Sequence, residues 1–171
     1  MSGTLPPGAA RVAGARPSLA VPLPPNAGRR RTRTLRAMTK LTLDLARRLL
    51  EAAEAEAAAQ DLELSLAIVD AAGHLVALHR MDGADWITPD VAYGKAWTAA
   101  AYRAPSAAQG DKAKDLVAFA GAISAATAGR YTPQIGGLPI VVDGEPIGAM
   151  GASGATGQED EAVVRAALNA T

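Results

Sequence analysis

The feature that most constrains the fold is a pair of short, β-rich hairpins placed far apart in the chain. In the first, residues 64–69 and 75–80 are joined by a segment containing Gly73, the residue type that a tight reversal needs. In the second, residues 138–142 and 146–153 are joined by an Asp-Gly turn. Hairpins pair their own strands antiparallel, so the pattern favours an antiparallel sheet over alternating parallel β-α-β units.

Helical patterns precede, separate and follow the hairpins. Residues 42–60 repeat apolar side chains at helical spacing, and Thr88 offers an N-cap before Pro89, which predicts a helix to about residue 101. A last helix is predicted over residues 159–168.

The segment between the second predicted helix and the second hairpin is less clear. Residues 106–109 and 114–125 have weak helical character, interrupted by Gly110 and Gly121. The order of elements nevertheless predicts an α+β domain of the profilin-like kind, with helices on the faces of the sheet.

A chain of 171 residues has room for one hydrophobic core, and we place it in residues 39–171. Residues 1–38 are rich in Pro, Gly, Ala and Arg, which predicts a disordered leader, or a mis-assigned start with Met38 as the true first residue. The arginine run at residues 29–33 is not followed by the apolar stretch of a secretory signal. We therefore expect a cytoplasmic protein.

Composition excludes several classes of function. The 17 basic residues balance the 17 acidic ones, so we expect no nucleic-acid partner, and we expect no membrane partner either. The chain has no cysteine, which excludes thiol catalysis, thiolate metal sites and disulfides. Neither a nucleophile-elbow serine nor a phosphate-binding glycine loop is present, which argues against hydrolases and nucleotide enzymes.

Six blocks between Leu41 and Ala167 carry a more specific signal. They are Ala67 to Asp70 with Gly73 to Ala77, Arg80 to Ala84, Lys95 to Ala99, Gly136 to Ile140, Ile147 to Gly154, and Asp160-Glu161. In this order they resemble the GlcG/HbpS family, which includes haem-binding and PduO C-terminal-like domains.

The resemblance implies a five-stranded antiparallel sheet flanked by helices, and self-association into dimers or octamers. It also implies haem binding, or a corrinoid-linked role, in some members. This sequence departs from the family pattern at Ala72, where the family often has glycine, and around residues 129–135. The second departure lies near the place where haem-binding relatives carry ligands.

Lys95, Arg80 and Asp82 are the first candidate site residues. Lys95 is set among small and apolar residues, where it would act as a base, a Schiff-base amine or an anion-binding group, or else form a salt bridge. Arg80 and Asp82 share one face of a strand end and would meet a ligand, or pair with each other to hold the turn.

The glycine blocks and the start of the last helix supply further ligand-binding candidates. Backbone N–H groups of glycine can approach a bound anion closely, although tight sheet packing explains the same residues. The acids also suit the positive end of a helix dipole without any ligand. The candidates are Gly136, Gly137, Ser153, Gly154, Asp160 and Glu161.

Haem, if bound, needs an axial ligand other than cysteine. The candidates are His74, His79, Tyr93, Tyr102, Tyr131, Thr132 and the methionines. We favour Tyr131 and Thr132 because they precede the Gly136 block, and we expect both histidines to be exposed. The histidine spacing also argues against a two-histidine metal site, so no metal site is predicted.

Three functions stay open at this point. The first is a domain that binds a small molecule, haem or another tetrapyrrole. The second is a cofactor-free enzyme that acts on a small hydroxy or keto acid with Lys95 in the pocket. The third is an assembly domain without a ligand. For the first two, we expect the pocket at a subunit interface, since a thin core leaves surface for a neighbour to cover.

Overall fold

The computed structural model describes residues 40–171, in which the two predicted hairpins form one sheet of four antiparallel strands. The strands lie in the order β2-β1-β4-β3, so the two hairpins meet through their inner strands. They are β1 (Ser65–Asp70), β2 (Leu75–Arg80), β3 (Gly137–Val142) and β4 (Glu145–Ser153). The prediction of an antiparallel α+β fold is confirmed.

Five α-helices and a short 3₁₀ helix at Ser106–Gln109 complete the fold. The helices are α1 (Leu43–Ala59), α2 (Thr88–Tyr102), α3 (Gly110–Asp115), α4 (Val117–Ala126) and α5 (Gly157–Ala170). Gly110 begins α3 instead of interrupting a helix, and Gly121 lies inside α4. The resemblance implied a fifth strand, and this expectation was wrong, because the described residues form four strands. Alanine-rich sequence favours helices, and helices occupy most of the segment between α2 and β3.

Helices α2 and α5 begin at slightly different residues from those predicted. Thr88 is the first helical residue instead of the N-cap, because its hydroxyl is engaged with Ser65 Oγ at 2.7 Å and Asp85 O at 2.7 Å. Helix α5 begins earlier than predicted, because Thr156 and Glu159 form a reciprocal capping box.

Helices cover both faces of the sheet and divide the core into two layers. Helices α1 and α5 pack on one face around large side chains such as Leu66, Ile68 and Met150. Helix α2 packs on the other face, where Ala67, Val69 and five further buried alanines form a thinner layer. Alternate residues of β1 thus point to opposite layers, as the period of a strand requires.

Helix α2 lies unusually close to β4 because Gly151 has no side chain. A Cβ placed on Gly151 would lie 2.4 Å from Ala92 O and 2.7 Å from Ala96 N, both backbone atoms of α2. This contact sets the position of α2, and with it the position of Lys95.

The described part of the chain contains no helix that is both long and apolar enough to span a bilayer. The predicted leader, residues 1–38, lies outside the described residues.

Candidate functional site

The segment between α4 and β3 returns along α2 and brings most of the predicted site residues to one side of the molecule. Thr98 Oγ1 accepts a hydrogen bond from Thr132 N at 2.8 Å and donates to Arg130 O at 3.4 Å. One turn earlier, Gly94 leaves room for Thr132, whose Oγ1 would lie 2.2 Å from a Cβ at that position. Residues 130–137 are therefore held on α2 by direct contacts.

Lys95 lies beneath this segment in a buried ion pair. Its Nζ donates to Asp160 Oδ2 at 2.7 Å and to Ala152 O at 2.9 Å, and the Lys95 and Asp160 side chains are 6% and 2% exposed. The second oxygen of Asp160 accepts from Ala155 N at 3.2 Å. Lys95 thus links α2 to β4 and α5 across the end of the sheet, and use of its amine in chemistry would require this pair to open.

Gly136 and Gly137 lie directly against Lys95. A Cβ on Gly136, whose φ is +122°, would lie 2.8 Å from Lys95 Nζ, and one on Gly137 would lie 2.5 Å from Lys95 O. The Gly137 N–H donates to Ser106 Oγ at 3.0 Å, and Gly136 O accepts from Ala152 N at 2.9 Å. The backbone of both glycines is used inside the protein, so close packing accounts for them.

Ser153 and Gly154 follow this buried centre at the end of β4. Ser153 is buried in the sheet opposite Ser65, and Gly154 has a φ of +147°. A Cβ on Gly154 would lie 2.4 Å from Glu63 O. Both residues therefore serve the turn from β4 towards α5.

Arg80 and Asp82 lie at the same end of the sheet but are exposed. Arg80 Nε donates to Ala84 O at 2.9 Å, which holds the loop after β2. Among residues 40–171 no ion pair joins Arg80 to Asp82. The structure does not bring either side chain to Lys95.

Glu161 lines an apolar groove on the outer side of α5. The groove has a volume of about 470 Å³ and is lined by Pro105, Ala107, Ile135, Gln158, Glu161, Ala162 and Arg165. Glu161 Oε1 accepts from Arg165 Nη2 at 2.6 Å at its edge. Glu161 is thus separated from Asp160, which points inward.

The rings of Tyr131 and Tyr102 contact each other where α2 ends and the chain comes back from α4. Their ring centroids are 6.0 Å apart with an interplanar angle of 56°, and Tyr131 is 8% exposed. Burial, and to a lesser degree the neighbouring Tyr102, raises the pKa of the Tyr131 phenol above 10.0. Neither hydroxyl forms a hydrogen bond to another of residues 40–171, so both are available to a ligand.

Two exposed arginines that sequence reasoning missed flank the tyrosine pair. Arg103 follows Tyr102 and takes a left-handed conformation, with φ +52° and ψ +37°, and Arg130 precedes Tyr131. Neither guanidinium has an ion-pair partner within the described residues. The available signal was an arginine adjacent to each tyrosine, but nothing in the sequence indicated that the two pairs meet.

Both histidines are exposed, as expected, and lie elsewhere. His74 Nδ1 is 3.3 Å from Asp70 Oδ2 in the β1–β2 turn, and His79 Nδ1 is 2.7 Å from Glu54 Oε1. No cluster of three or more metal-ligating side chains occurs in residues 40–171.

Several known proteins are similar to this chain in sequence and in fold. The sequence profile of the family described as "Haem degrading protein HbpS-like" matches residues 41–169. Protein GlcG of Escherichia coli strain K12 is 36% identical over 113 residues, covering 66% of this chain and 81% of GlcG.

Two solved structures extend the similarity to three dimensions. A double mutant of Streptomyces reticuli HbpS has a TM-score of 0.65 and 30% identity, over 96% of this chain and 98% of HbpS. A complex of PduOC with heme has a TM-score of 0.69 and 26% identity, over 78% of this chain and 96% of PduOC. The resemblance found in the sequence is thereby confirmed, and the chain belongs to the HbpS-like family.

Proposed function

We propose that this domain binds haem, and that the site is the Tyr102–Tyr131 pair with Arg103 and Arg130 beside it. The observation that carries the proposal is the contact of the Tyr102 and Tyr131 rings at the end of α2, where neither hydroxyl has a partner within the described residues and an arginine is adjacent to each tyrosine in the sequence. The solved complex of the related PduOC with heme supports the same class of ligand.

The residues fit haem in their chemistry. A tyrosine oxygen is a known axial ligand of haem iron, and arginine pairs well with carboxylates such as the two propionates of haem. Bound haem would supply an iron centre for redox or ligand-exchange chemistry.

Tyr131 is a better ligand than Thr132 in this arrangement. The Thr132 side chain packs against Gly94, and its backbone N–H is held by Thr98, so it is engaged with α2. The role that we assign to Thr132 is to fix the position of Tyr131.

A haemin titration of the full chain, followed by the Soret absorbance, tests the proposal. We expect saturable binding that Tyr131→Phe weakens by roughly tenfold or more, because an iron–oxygen bond is lost. The double variant Arg103→Gln/Arg130→Gln should also bind more weakly, since it removes both partners of the propionates. His74→Asn and His79→Gln are the matched surface controls, and both should bind like the unmodified chain.

The pH dependence provides a second readout of the ligand. Because burial raises the pKa of Tyr131, the phenol is protonated at neutral pH and must lose that proton to ligate iron. Affinity should therefore rise with pH, and Tyr131→Phe should abolish this dependence. Absence of saturable binding, or loss of the Soret shift in a histidine variant alone, would refute the tyrosine site.

A further inference from the structure

The segment that carries Tyr131 belongs to neither a helix nor a strand. Residues 130–136 lie between α4 and β3 in irregular conformation. The backbone N–H and C=O groups of such a segment need partners that regular structure does not supply. Several of them are bonded to the hydroxyls of Thr98, Ser106 and Thr127. The position of Tyr131 therefore depends on side-chain hydroxyls that belong to other elements.

Thr98 holds both chain neighbours of Tyr131. Its Oγ1 accepts from Thr132 N at 2.8 Å and donates to Arg130 O at 3.4 Å. Thr98 is 0% exposed, so water does not replace the hydroxyl where it lies. A single buried hydroxyl thus fixes the backbone immediately before and immediately after Tyr131.

Helical spacing places Thr98 in line with the ring that Tyr131 contacts. Gly94, Thr98 and Tyr102 are four residues apart on α2 and therefore lie on one face of it. Gly94 leaves room for the Thr132 side chain, and one turn beyond Thr98 the Tyr102 ring lies 6.0 Å from that of Tyr131. One face of α2 thus holds the returning segment at three successive levels, with Thr98 in the middle.

Thr127 is a weaker anchor for the same segment. Its Oγ1 accepts from Tyr131 N at 3.2 Å and donates to Ile123 O at 2.8 Å, within its own turn of helix. It follows α4, none of whose ten residues is buried, whereas Thr98 belongs to a helix that packs on the sheet. The connection from Tyr131 to the folded core therefore passes through Thr98.

We infer that Thr98 is a positioning residue for Tyr131, and that its hydroxyl sets how long haem stays bound. The second part rests on the haem site proposed above, whereas the first part does not. Without the hydroxyl, Thr132 N–H and Arg130 C=O lose their buried partner and must turn to water. The segment would then loosen, and the phenol oxygen would no longer be held in one place for a ligand.

Fluorine NMR of the chain labelled with fluorotyrosine reports on Tyr131 without haem. The chain has three tyrosines, and the resonance of Tyr131 is the one missing from Tyr131→Phe. Thr98→Val keeps the volume of the side chain but loses the hydroxyl, so this resonance should move towards that of free fluorotyrosine. Thr98→Ser keeps the hydroxyl and should leave it near its original position. Ser65→Ala, which removes a buried hydroxyl 2.7 Å from Thr88 Oγ1, is the matched control and should not move it.

Transfer of haem to apomyoglobin measures the functional consequence. We expect haem to leave Thr98→Val at least ~5-fold faster than it leaves the unmodified chain, since a hydrogen-bonded support of the ligand is lost. The Soret maximum should stay the same, because the ligand itself is unchanged. Thr98→Ser should release haem at close to the original rate.

The inference is overturned if the Tyr131 resonance stays in place in folded Thr98→Val, or moves as far in Thr98→Ser or Ser65→Ala. If Thr98→Val does not fold, amide exchange of the unmodified chain decides: a protected Thr132 N–H supports the inference, and an unprotected one overturns it. A shifted resonance with unchanged haem release would overturn the second part alone. Absent haem binding together with the expected resonance changes would refute the proposed function and leave the positioning role intact.

Discussion

At the level of single residues, the Lys95–Asp160 ion pair connects the two helical layers across the end of the sheet. Both side chains are almost fully buried, and every polar atom involved has a partner within the described residues. A buried pair of this kind contributes little compared with apolar packing, but the loss of one partner leaves a charge without compensation. The pair therefore acts as a structural connection that is sensitive to single substitutions.

Asp160→Asn should lower the free energy of unfolding by about 3–5 kcal/mol, because the buried ammonium of Lys95 loses its carboxylate. The double variant Lys95→Met/Asp160→Leu should lose much less, since both charges are removed together. Urea unfolding of the three proteins measures both quantities. If the free energy of unfolding of Asp160→Asn lies within about 1 kcal/mol of that of the unmodified chain, water must reach the Lys95 ammonium. That result would contradict the buried ion pair described above.

At the level of secondary structure, the sequence predicted the elements whose signals are local. A glycine at a reversal and an alternation of apolar residues lie within a few positions, so both hairpins and α1 were predicted almost to their ends. Helices α3 and α4 were less clear, because alanine favours a helix but shows no apolar face. The exposure of α4 could not be predicted, since exposure depends on what else packs nearby.

The close contact between α2 and β4 depends on Gly151. Gly151→Ala would place a Cβ 2.4 Å from Ala92 O, and neither backbone can yield without moving α2. We expect a loss of ~1–3 kcal/mol in the free energy of unfolding, measured in urea. Gly121→Ala is the matched control, because a Cβ there would have no neighbour within 4 Å and alanine favours the helix. Equal stability of Gly151→Ala and Gly121→Ala would mean that the two layers can separate freely.

At the level of the whole molecule, the candidate site forms because the segment between α4 and β3 lies back along α2. Lys95, Asp160 and the glycines were identified from the sequence, but their pairing and burial were not, because those contacts cross between α2, β4 and α5. Tyr131 was identified, whereas its contact with Tyr102 follows from the segment that lies along α2. Sequence patterns describe neighbours along the chain, and this site is made of neighbours in space.

The same argument sets the smallest part of the chain that should fold and bind. Residues 40–171 contain the sheet, both core layers and the candidate site. Deletion of residues 1–36 should therefore leave the Tm within about 2 °C of the full chain, a difference of well under 1 kcal/mol. Its haemin titration should also match that of the full chain. Weaker haem binding at an unchanged Tm would mean that the deleted residues contribute to the site.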